Sequence, residues 1–99
     1  MATQYFYLAL EPSTSTGPGS NGPYYYTNVF PLTFSDPEDQ GTQQANYEVS
    51  FRAFVHNPPS YNSEWSRGYD AAADAATDRR GEIDALVTAG KMVSESNWP

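Results

Sequence analysis

The stretch Asn46-Tyr47-Glu48-Val49-Ser50-Phe51-Arg52-Ala53-Phe54-Val55-His56 alternates apolar and polar side chains almost without a break. In an extended chain Tyr47, Val49, Phe51, Ala53 and Val55 share one side, and Glu48, Ser50, Arg52 and His56 share the other. A period of two with aromatic and β-branched members predicts a half-buried β-strand over residues 46–56. Phe54 interrupts the polar side, and an apolar ring near Arg52 on a solvent face marks a candidate contact surface.

Upstream, residues 35–45 are polar and contain Asp36, Pro37, Glu38, Asp39 and Gly41, which predicts a loop. Residues 24–34 read as a second strand, with Tyr24, Tyr26, Phe30, Leu32 and Phe34 on one face and Tyr25, Thr27, Val29 and Thr33 on the other. Pro31 lacks a ladder donor and predicts an edge position or a bulge. Residues 11–23 are Pro, Ser, Thr, Gly and Asn with little to bury, so a flexible loop is expected. Residues 4–10 form a first strand that is apolar on both faces, which suits a central strand or one covered by a second subunit.

Downstream, Asn57, Pro58 and Pro59 stop the strand, and Ser60 or Ser63 can cap a long helix over residues 61–89. Trp65, Tyr69, Ala72, Ala76, Ile83 and Leu86 recur at helical spacing with Arg79 interrupting them. Gly81 invites a kink, Gly90 followed by Lys91 reads as the stop, and residues 92–99 form a polar tail in which Trp98 docks. The expected fold is therefore α+β: one domain over residues 1–99, a three-stranded antiparallel meander packed by one long C-terminal helix, in the order β-β-β-α.

Five basic against twelve acidic residues give a net charge of −7, which disfavours direct nucleic-acid or anionic-membrane contact and favours a basic partner. The first basic residue is Arg52. No cysteine is present, so disulfides, thiolate metal sites and cysteine nucleophiles are excluded, and a cytoplasmic setting is expected. The apolar run at the start is too short and too aromatic for a signal peptide or a spanning helix. Few apolar side chains must order a long backbone, so a homo-oligomer built on the open sheet face or on the small-residue surface at residues 71–76 is a candidate state.

Catalytic signals are absent. The one histidine, His56, ends the predicted strand, and no nucleophile motif accompanies it. Asp36, Glu38 and Asp39 do not match a calcium loop, and Gly17, Gly19 and Gly22 are followed by no lysine and no helix. No enzyme activity, metal or cofactor is expected. Asp70, Asp74, Asp78 and Glu82 repeat every four residues, a ridge of carboxylates about 6 Å apart along a helix that can imitate a phosphate backbone. Arg67 with Asp70 and Arg80 with Asp84 give the same stretch an ordinary reading as intrahelical pairs. Tyr25 within the Tyr24–Tyr26 triplet, and Tyr61 with Trp65, form a candidate aromatic contact cluster that Arg52 or Arg67 can join.

In size, acidity and lack of motif the chain resembles small phage accessory proteins that inhibit bacterial defence systems, and Trp65, Gly68, Tyr69, Asp70, Ala71 and Ala72 are similar to helices of unclassified phage proteins. The resemblance implies an anti-defence inhibitor that occupies a host macromolecule, and the residue pattern offers Tyr25, Arg52, Phe54, Tyr61, Trp65 and the acidic ridge as its candidate contacts. Two other classes stay open. One is a structural subunit of a virion or other assembly; the second is a protein that sequesters a nucleotide-like ligand between aromatic rings and an arginine.

Overall fold

The computed structural model describes residues 2–12, 22–56 and 61–99. Along the chain come β1 (Ala2–Phe6), β2 (Leu8–Pro12), β3 (Tyr24–Tyr26), β4 (Phe30–Phe34), α1 (Pro37–Phe54), β5 (Tyr61–Trp65), α2 (Ala72–Thr88) and β6 (Val93–Glu95). The fold is α+β, with a two-stranded sheet β1-β4 and a four-stranded sheet in the order β5-β2-β3-β6. Among the described residues, only the β3–β6 pairing is parallel.

Two arms of chain, residues 2–12 and 24–34, run antiparallel through both sheets. Between the pairs Phe6–Phe30 and Ala9–Tyr26 the first arm has Tyr7 and Leu8, while the second has Thr27, Asn28 and Val29. The extra residue is a β-bulge, and it turns the later side chains of the second arm to the opposite face. Tyr26, with Tyr24 beside it, therefore packs with Tyr7, Ala9 and Ile83, whereas Phe30, Leu32 and Phe34 pack with Phe6. This corrects the single face expected for residues 24–34. The bulge lies beside Thr27, not at Pro31, which is exposed on an edge strand. Buried Thr27 repairs the ladder there: its N–H donates to Leu8 O (2.9 Å), and its hydroxyl accepts from the Leu8 N–H (2.9 Å).

The strand expected over residues 4–10 is divided between β1, which pairs in the two-stranded sheet, and β2, which is central as the two apolar faces predict. Leu8 and Leu10 pack with Phe51 of α1, and Tyr7 and Ala9 pack with Ile83 of α2, so one helix covers each side. The third strand beside it is β5, not residues 46–56, and β2 lies between β5 and β3, which replaces the expected meander order.

Residues 46–56 are helical up to Phe54, and the loop expected over 35–45 is the first half of the same helix. Asp36 caps it by accepting the Asp39 N–H (2.8 Å), Pro37 opens it, and Asp39 accepts the Ser35 N–H (2.9 Å). Such groups satisfy free amides at a helix start and place negative charge where the helix dipole wants it. The inward positions Tyr47, Phe51 and Val55 are four apart, a spacing that serves a helix stripe and a strand alternation alike.

The helix expected over 61–89 is corrected as well. Its first third is β5, where half-buried Ser63 lies between Tyr61 and Trp65 while Asn62 and Glu64 are exposed. Ser63 is thus no cap, and Ser60 lies outside the described residues, as do the chain stop at 57–59 and most of the loop expected over 11–23. The turn after β5 needs Gly68, because a Cβ there would meet the Gln4 carboxamide and approach the Phe6 ring to 3.1 Å. Helix α2 runs unbroken through Gly81 and buries Ala75 and Ile83, with Arg79 and Leu86 half-buried between and beyond them. It stops as expected at Gly90 (φ 80°), where the Lys91 N–H donates to Leu86 O and the Gly90 N–H to Val87 O. The tail contributes β6, and Trp98 stacks on Phe51 at 5.1 Å between ring centroids.

Candidate functional site

The residues singled out by sequence separate onto the two sides of the sheet. On the α1 side, Tyr25 and Tyr61 pack ring against ring at 5.6 Å, and the Tyr61 hydroxyl donates to Pro23 O (2.7 Å). Arg52 Nη2 donates to Tyr61 O and to Ser63 Oγ, both at 2.9 Å. Pro12, opposite Tyr61 in the ladder, has no N–H to offer, so the guanidinium serves the end of the sheet. Trp65 Nε1 donates to Glu48 Oε1 at 2.7 Å. Four of the candidate contact residues are thus engaged in holding α1 to the sheet. Phe54 is the exception, 51% exposed at the end of α1.

On the α2 side the acidic ridge divides in two. Asp70 precedes the helix and Asp74 lies in its first turn, and both are exposed. Asp78 and Glu82 receive the Tyr7 hydroxyl, and Glu82 also receives the Tyr26 hydroxyl at 3.0 Å. Burial first, and then these carboxylates, push both tyrosine hydroxyls well above their ordinary range. Glu11 is raised too, by burial and then by Glu64 and Glu82. Sequence reading missed Tyr7 and Tyr26 as partners of the ridge. The available signal was that a tyrosine buried in a central strand needs an acceptor for its hydroxyl.

Arg79 and Arg80 are committed. Arg79 Nε donates to Thr27 O (2.7 Å), and Arg79 and Arg80 both pair with Glu95, at 3.0 and 2.7 Å. The Arg80–Asp84 pair expected within the helix is present at 3.8 Å. Arg67 lies 4.6 Å from the Tyr69 ring centroid instead of pairing with Asp70. Among the described residues, which include every charged side chain of the chain, Glu95 and Asp84 are the only carboxylates in ion pairs. Among the described residues, no three potential metal ligands converge, and no helix is long and apolar enough to cross a membrane.

No family model, curated protein or solved structure matches this chain.

Proposed function

We propose that the chain is a non-catalytic binding protein whose α2 side meets a basic surface on another protein. The observation that carries the reading is the charge balance there. Asp70 and Asp74, and Glu64 on β5, are exposed carboxylates with no ion pair, Arg79 and Arg80 are held by Glu95, and the one other cation beside them in sequence, exposed Arg67, lies over the Tyr69 ring. An excess of exposed, unpaired carboxylates over cations of this kind steers a basic partner and raises its association rate. The expected class remains that of small phage-type inhibitors occupying a host macromolecule, on the resemblance in size and acidity. The ligand-sequestering alternative finds less support, because Tyr25 and Tyr61 pack on one another and Arg52 is already bound to the backbone.

The test is affinity capture from cells with mass spectrometry, comparing the native chain with a Glu64→Gln, Asp70→Asn, Asp74→Asn triple variant. Asp78 and Glu82 are left intact because they accept the tyrosine hydroxyls. Loss of the partner from the variant, with an unchanged circular dichroism spectrum, supports the reading. Equal capture by both chains overturns it.

A further inference from the structure

Helix α1 presents exposed residues in pairs that repeat every four positions between Gly41 and Phe54. Gly41, Ala45, Val49 and Ala53 form one ridge, and Thr42, Asn46, Ser50 and Phe54 form the next. No member is ionisable, whereas a helix facing water normally carries its charges there. The charged residues of this stretch, Glu48 and Arg52, are turned inward to Trp65 and β5. Val49 is 70% exposed and Phe54 51%, and beside them a cleft of about 160 Å³ is lined by Asn46, Tyr47, Ser50 and Trp98.

We propose that this face is a homodimer interface in which two α1 helices cross antiparallel about a two-fold axis beside Val49 and Ser50. An isologous contact must be complementary to itself, and here it is. With that axis, the exposed half of Phe54, whose ring lies 6.4 Å from Phe51 and 6.2 Å from Trp98 of its own chain, comes against Asn46 of the other copy, at the mouth of the cleft. An enclosed cavity near 150 Å³ holds a benzene ring; this cleft, of similar volume but open to solvent, has room for the outer edge of a phenyl ring, and the contact occurs twice. The small ridge from Gly41 to Ala53 lets the helix axes approach closely.

Charge selects a second copy as the occupant. Two chains of net charge −7 repel wherever acidic surfaces meet. Between Gly41 and Phe54 the outer face of α1 carries no carboxylate, and the antiparallel crossing holds the two exposed Glu38 side chains, one turn before Thr42, at opposite ends of the contact. Because α1 and α2 lie on opposite sides of the sheet, pairing through α1 leaves both acidic α2 surfaces outward and apart. The proposal does not depend on the α2 partner, since the two surfaces share no residue.

Light scattering during size exclusion, at micromolar protein, is expected to give a dimer mass. Val49→Arg should weaken dimerisation at least tenfold while leaving the circular dichroism spectrum unchanged. A cysteine-free chain also allows the register to be read directly. Val49→Cys should form a disulfide-linked dimer on mild oxidation. Thr42→Cys should not, since that position lies about 10 Å along the helix from the axis, some 20 Å from its mate and beyond disulfide reach. A monomer mass for the native chain, a dimer untouched by Val49→Arg, or equal cross-linking at 42 and 49 each overturns the proposal.

Discussion

His56 sits at φ 64°, just past the end of α1, in the left-handed conformation that glycine adopts there without strain. Replacing it with glycine removes a backbone cost of about 1–2 kcal/mol, so His56→Gly should raise the urea midpoint, and His56→Val should lower it. The tyrosines beneath α2 make a second prediction. Tyr7 and Tyr26 have hydroxyl pKa values raised above the unfolded value of about 10. In the fold they keep protons that the unfolded chain releases, so their contribution is intact below about pH 10 and is lost as pH rises beyond it. Thermal unfolding followed from pH 8 to 11 should show a steep alkaline decline that Tyr26→Phe flattens. An equally steep decline in that variant would assign the effect elsewhere.

The helices carry predictions of their own. Gly81 lies in open space on α2, with nothing near an added Cβ. Gly81→Ala should therefore stabilise the protein by about 1 kcal/mol in chemical denaturation. Asp36→Ala removes the side-chain cap of α1 and should cost about 1 kcal/mol by the same measurement. These elements also show where sequence reading fails. In residues 46–56 the inward positions 47, 51 and 55 fit both periods, and the choice rested on Val49 and Ala53, which an alternation turns inward and the helix exposes. The Asp36-Pro37-Glu38-Asp39 start was a legible helix signal that its loop-like composition concealed. Tyr61 and Trp65 err in the other direction: residues four apart suggested a helix turn, and pairing with the first arm made them a strand.

For the whole molecule, net charge of −7 acts on folding and on association in opposite ways. Screening relieves self-repulsion, so the melting temperature should rise between low and physiological ionic strength. Capture of a basic partner through α2 should weaken over the same range. A homodimer formed through the uncharged face of α1 should hold or tighten, which makes salt a means of telling the two surfaces apart. Calorimetry and light scattering at two salt concentrations measure all three.

What the sequence determined by itself was local. The doubly apolar run at residues 4–10 had to lie between two layers, and Gly90 had to end a helix whose Ile83 and Leu86 face inward. An α+β chain followed from these. Tertiary structure decided the rest, because three of the deciding choices depend on distant partners. One residue of bulge beside Thr27 divides the second arm between two faces, and only pairing with the first arm creates it. The strand identity of 61–65 likewise comes from the open edge of β2, which residues 46–56 leave free by folding as a helix across it. The acidic ridge, periodic in sequence, is partly a set of acceptors for Tyr7 and Tyr26 because α2 lies over those strands. Periodicity shows which residues share a face; it does not show what that face meets.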